Sequence, residues 1–135
     1  MKTLIVYYSK TGNTKKVAGA LVSELAESGE AYDSDELTFD GETHEVTHQH
    51  DPADYSRIFL LSPIWGLEPS EPMKIYLGKF GGSIKNYSLI FTCGLIGLST
   101  CKRYCRGFIG ADPVKAVKIK SGDINKNKYS LKGMV

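Results

Sequence analysis

Six consecutive residues, Ser9-Lys10-Thr11-Gly12-Asn13-Thr14, bring together three hydroxyls, an amide and a glycine directly after an apolar run. Glycine permits the tight backbone path that such a loop needs. The residues that follow have helical periodicity, so the loop sits at a helix N-terminus. Free N–H groups and the helix dipole favour an anion there. A terminal phosphate suits that chemistry, because its oxygens require several converging donors. Lys10 can point into solvent, since backbone donors suffice. The segment is neither a GxGxxG dinucleotide loop nor a GxxxxGK[ST] nucleotide loop. A capped helix with a polar turn is the plainer reading of the same residues, and Thr14 suits the N-cap position.

Two further segments carry chemistry. Trp65, the one tryptophan, stands in a Pro- and Gly-bearing stretch, Ser62-Pro63-Ile64-Trp65-Gly66-Leu67-Glu68-Pro69. A large rigid ring beside a ligand edge can stack on a planar heterocycle and exclude water. The alternative is an indole packed across the top of a sheet. Cys93-Gly94-Leu95-Ile96-Gly97 contains neither carboxylate nor imidazole. Backbone groups would have to recognise a polar ring edge there, and the glycines would let them approach. A plain strand-to-helix connection is the competing reading. A phosphate at one end and a flat platform at the other describe a mononucleotide.

The remaining reactive side chains fit other chemistries poorly. Cys93, Cys101 and Cys105 lack a nearby fourth ligand, making a poor zinc set, and match no common iron–sulfur spacing. No metal is expected. An odd cysteine count argues against a disulfide framework and for a reducing, cytoplasmic setting. His44, His48 and His50 lie in a polar stretch and read as surface residues. No Ser-His-Asp or Cys-His arrangement can be assembled.

These segments need elements to position them. The 135 residues suffice for one domain, 1–135, with its own core. The composition, 41% apolar and 24% charged, is that of an ordinary globular chain. No apolar run approaches the roughly 20 residues of a membrane span. Leu4–Tyr8 reads as a strand covered on both faces. Val17, Ala18, Leu21, Val22 and Leu25 mark one face of a helix closed by Gly29. A poor edge strand is expected within Glu30–Leu37, and a loop with one turn of helix in 38–54. Strands follow at Arg57–Leu61 and Tyr87–Thr92, and a partly exposed one at Val114–Ile119. Ser70 caps a helix between the first two; Ser99 or Thr100 caps the next, which ends at Gly110. The last helix is short. Alternating strands and helices imply right-handed βαβ units in a three-layer α/β domain. Ligands in such sheets lie beyond the carboxyl ends of the strands, where the loops 9–14, 62–69 and 93–99 converge.

Charge is uneven. Residues 1–73 hold five basic and thirteen acidic side chains, a net of −8; residues 74–135 hold twelve and two, a net of +10. The basic half lacks an aromatic–basic stripe, so nucleic acid is a poor partner. An acidic redox protein is the alternative use of the same field.

The apolar strand, the T-G-N-T loop, the Ser62-Pro63-Ile64-Trp65-Gly66 stretch and the strand before Cys93-Gly94 together resemble the flavodoxin family. The resemblance covers most of residues 2–120. It implies a five-stranded parallel sheet in order 2-1-3-4-5 and one non-covalent FMN. It assigns Ser9, Lys10, Thr11, Gly12, Asn13 and Thr14 to the phosphate. Pro63, Ile64, Trp65 and Gly66 would flank the isoalloxazine ring at its N5 edge. Cys93, Gly94, Leu95 and Gly97 would approach the far side or the pyrimidine edge. It further implies electron shuttling between redox partners. Two other readings accompany it: a small NAD(P)H:quinone or flavin reductase, with a dimer supplying room for the second substrate, and a cofactor-free interaction module. The chain departs from the family in being non-acidic, in its unclear second crossover helix and in its short or absent closing helix.

Overall fold

The computed structural model describes residues 2–94 and 96–135. In chain order the elements are β1 (Thr3–Tyr7), α1 (Asn13–Glu27), β2 (Tyr32–Glu36), β3 (Thr38–Asp40), β4 (Glu45–Thr47), β5 (Arg57–Trp65), β6 (Glu68–Pro69), α2 (Glu71–Phe80), β7 (Tyr87–Cys93), α3 (Leu98–Ile109), β8 (Ala116–Lys120) and α4 (Ser121–Asn125). Short 3-10 turns at Pro52–Asp54 and Gly81–Ser83 complete the connections.

Five strands form a parallel sheet in the order β2-β1-β5-β7-β8. Counted among themselves, these strands run 2-1-3-4-5, as expected. β1 and β7 are buried along their whole lengths, which explains their unbroken apolar composition. Alternation along β1 sends Leu4 and Val6 to one face and Ile5 and Tyr7 to the other. The first face packs on Met73, Tyr76 and Leu77 of α2 and on Cys101 and Cys105 of α3. The second packs on Val17, Leu21 and Leu25 of α1 and on Ile124 of α4. Three layers result. The closing helix α4 has five residues, and the tail continues its work by burying Leu131 and Met134 on the same face.

Four local expectations change. Residues 38–54 hold an antiparallel hairpin, β3–β4, rather than a loop with a helical turn; the turn that does occur is 3-10. Its apolar content is the cross-strand pair Phe39 and Val46, too short a pattern for periodicity to show. The chain returning from the hairpin is tied down by Asp35. This fully buried carboxylate accepts the N–H groups of Gln49 and His50 at 2.9–3.1 Å. The histidines there are not all at the surface. His44 is exposed beside Glu71, but His48 packs edge-on against Tyr76 and Phe80.

The helix caps also differ. α1 starts two residues early, with Gly12 as N-cap in place of Thr14, so Thr14 lies within the first turn. α3 is preceded by Gly97, not by Ser99 or Thr100. Ser70 does precede α2, but its hydroxyl turns to the buried Ser62 hydroxyl, 2.8 Å away, instead of capping. Finally, β5 runs on through Trp65, because β6 folds back and pairs Ile64 with Pro69 and Trp65 with Glu68. Ser62, Pro63, Ile64 and Trp65 are therefore strand residues and not loop. The two-residue turn between β5 and β6 begins with Gly66 at φ 66°, the conformation that makes a tight hairpin possible.

Candidate functional site

A cleft of about 170 Å³ opens at the carboxyl ends of β1, β5 and β7. The strand–loop–helix at the start of the chain contributes Lys10, Thr11, Asn13 and Thr14. The end of β5 contributes Pro63, Ile64 and Trp65, and the end of β7 contributes Cys93 and Gly94. All three segments thus meet at one rim, with Thr11 and Trp65 on the walls of one cleft. Thr92 and Ser121 line it as well; sequence reasoning missed both. Thr92 sits inside an apolar strand and looks like a core residue, while Ser121 follows an edge strand with no local signal at all.

At the α1 end the backbone takes a tight turn. Gly12 adopts φ 98°, which disfavours any residue with a Cβ. Its N–H donates to Ser9 Oγ at 3.1 Å. Ser9 and Gly12 therefore shape the turn and do not line the cleft. Gly12 offers no side chain to cap α1, and the helix receives no side-chain cap. Its first-turn N–H groups have no partner within the helix, and the first turn contains no acidic residue. This end is electrically suited to an anion.

Thr14 is almost fully buried, and its hydroxyl shares a 2.9 Å hydrogen bond with that of Thr92. This bond ties the α1 end of the cleft to β7. Ser121 Oγ donates to the Cys93 carbonyl at 3.2 Å and ties α4 to the same strand end.

At the other end Trp65 is half-buried. Its ring meets Tyr8 edge-on, with centroids 5.8 Å apart. Lys10 is exposed, as expected, and its Nζ lies 5.6 Å from the indole centroid. Pro63 is held from below: the Ser70 N–H donates to its carbonyl at 3.1 Å and to Ser62 Oγ at 3.0 Å. Two buried serines thereby fix the strand end that carries the tryptophan.

Gly66 and Gly97 lie outside the cleft lining. Gly66 forms the hairpin turn, and Gly97, at φ 122°, packs so closely that a Cβ there would come within 3.0 Å of Ile64 Cγ2. Its role is to let the β7–α3 connection sit against β5. Leu95 lies outside the described residues.

The cleft contains no carboxylate and no imidazole among its described lining residues. Burial raises the Cys93 thiol above its ordinary pKa, although Lys118 and Lys120 pull it down. Burial pushes the thiols of Cys101 and Cys105 up to about 12. All three stay protonated at neutral pH, so none is an activated nucleophile. Among the described residues, no group of three or more His, Cys, Asp or Glu is arranged to hold a metal. No helix of the described residues is long and apolar enough to cross a membrane.

No protein-family model and no curated protein matches the sequence. Solved structures do match the fold. A flavoprotein from Lactobacillus acidophilus, solved in complex with FMN, superposes with a TM-score of 0.74 at 21% identity, over 93% of this chain and 97% of that one. An archaeal flavodoxin gives 0.66 at 19% identity, over 95% and 92% of the two chains. The two-electron-reduced flavodoxin of Megasphaera elsdenii gives 0.67 at 19%, over 86% and 84%. With the strand order, the three layers and a cleft at the strand ends, this likeness establishes that the chain has the flavodoxin-like fold.

Proposed function

We propose that the chain binds FMN in this cleft and carries electrons between redox partners. The observation that carries the reading is one of placement: an uncapped helix end and an indole share a cleft free of carboxylates. That is what a ligand with an anionic tail and a flat, largely apolar ring requires. Bound FMN would supply the one- or two-electron chemistry.

The protein's own part is to hold and orient. The first-turn N–H groups of α1, with the Thr11 hydroxyl and the Asn13 amide, hold the phosphate. The Thr14 hydroxyl acts indirectly, by fixing the helix end to Thr92. Trp65 and Pro63 would cover the ring and exclude water from it, and the backbone of Ile64 and Trp65 would offer it polar groups. Backbone groups of Cys93 and Gly94 reach its polar edge. Lys10, whose ammonium lies 5.6 Å from the indole centroid on the wall of the same cleft, would add a positive charge beside the bound ligand. The nine-residue strand β5, buttressed by Ser62 and Ser70, keeps Trp65 from following the ligand.

The visible spectrum of the purified protein, followed by FMN titration of the flavin-free chain, tests this. Flavin bands and stoichiometric uptake are expected. A colourless protein that takes up no added FMN overturns the reading.

A further inference from the structure

The sheet keeps the charge asymmetry of the sequence in space. β2, β1 and β5 come from the acidic half, and β7 and β8 from the basic half. On the outer face of α3, Ser99, Lys102, Arg103 and Arg106 recur at helical spacing and line a groove of about 210 Å³. Asp112 is the one acid on this groove, paired with Arg106 at 3.2 Å where both are well exposed, a pairing worth little.

The neighbouring edge strand points its charges to the same side. Ala116 packs into the core under α2 and α3, whereas Val117 and Ile119 pack into the opposite one. Strand alternation therefore places Lys118 and Lys120 on the α3 side. Both act electrostatically on Cys93, which lines the cleft. The positive field thus runs from α3 across the end of β8 to the cleft itself. Beside that mouth lie the exposed apolar side chains Leu67 (48%) and Ile96 (69%), brought together where Gly97 packs against Leu67.

We infer that the face formed by α3, the end of β8 and the Leu67–Ile96 rim is a docking surface for an acidic redox protein. An apolar centre with a charged surround is the general plan of a transient interface. Charge complementarity selects the partner and orients it with the cleft facing inward. Nucleic acid fits less well, because the rings of α3, Tyr104 and Phe108, lie on its flank toward α2, against Lys74, Gly78 and Gly81, and not as a row of stacking rings among the groove's basic side chains. The redox character of the partner rests on the FMN reading; the charge of the surface does not.

The test measures binding of three probes, an acidic [2Fe–2S] ferredoxin, a basic cytochrome c and a 20-base-pair DNA duplex, to the holoprotein and to the flavin-free chain, by fluorescence anisotropy at low and high salt. The ferredoxin should bind more tightly and weaken as salt rises. Lys102→Glu with Arg103→Glu should cut its affinity by about tenfold or more, whereas Lys126→Glu with Lys128→Glu in the tail changes it by less than about twofold. All four side chains are exposed, and circular dichroism confirms that each variant is folded. The milder pair Lys102→Gln with Arg103→Gln should show a smaller loss in the same direction. Equal effects of the groove and tail changes, tighter binding of cytochrome c, or tighter binding of a 20-base-pair DNA duplex would each overturn the proposal. Retained ferredoxin binding by a chain that takes up no FMN would sink the cofactor reading and leave the docking face standing.

Discussion

The two ends of the cleft are built by opposite means. The α1 end is a single contiguous stretch: one strand, one turn around Gly12 and the first turn of a helix. The Trp65 end is assembled from distant pieces, namely β5, the fold-back of β6, the Ser70 start of α2 and the close approach of Gly97. The first depends on backbone N–H groups and on the side chains of neighbours in sequence, Thr11 and Asn13. The second depends on side chains held by packing. The contrast teaches that a helix end suited to an anion can be built locally, whereas setting an indole at a strand end needs a tertiary scaffold.

The sharpest way to break this comparison is to separate phosphate from ring. Trp65→Ala should weaken FMN and riboflavin alike, by about tenfold or more, since stacking contributes on the order of 1 kcal/mol beyond buried area. Thr11→Ala should weaken FMN several-fold and leave riboflavin almost unchanged. Fluorescence titration of both ligands reads this directly, and equal losses in Thr11→Ala would show that the Thr11 hydroxyl does not hold the phosphate.

A second pair of substitutions asks which end stores backbone strain. Gly12→Val and Gly66→Val each place a β-branched residue at positive φ, with no atom within 4 Å of the new Cβ. Each should cost about 1–3 kcal/mol of stability from strain alone, measured by urea unfolding. Only Gly12→Val should also cost FMN far more affinity than riboflavin, because only it distorts the helix end.

The bridge between the ends is a smaller target. Thr14→Val and Thr92→Val each remove one hydroxyl of a buried pair, at about 1–2 kcal/mol apiece. The double variant should cost less than the sum, because the two share one hydrogen bond. Additive losses would show that the hydroxyls are not coupled. The smallest effect concerns Cys93. Its raised pKa predicts slow alkylation by iodoacetamide at pH 8, faster only as pH climbs past the ordinary thiol value of 9.0. A fast reaction at pH 7 would show that Lys118 and Lys120 outweigh burial.

What was legible in the sequence follows the same division. The strand at Leu4–Tyr8 and the helix after Gly12 were readable because burial on both faces and a one-sided apolar stripe leave strong periodic marks. The β3–β4 hairpin was not, because two apolar residues make no period. The caps at Thr14 and Ser99 failed for a different reason. Hydroxyls are good caps in isolation, but Thr14 finds Thr92 across the sheet, and a glycine can take the cap position where the chain must turn at positive φ.

The amino-acid sequence by itself determined the alternation of strands and helices, hence the layered sheet, the rim to which its loops lead and the sign of charge on each half. Those properties are sums over neighbouring residues. Only the tertiary structure decided that Trp65 ends a strand instead of riding on a loop, that Thr92 and Ser121 join the cleft, and that Lys118 and Lys120 turn toward α3. Each of these is fixed by pairing register and by contacts between segments far apart in the chain, where local preference has no say.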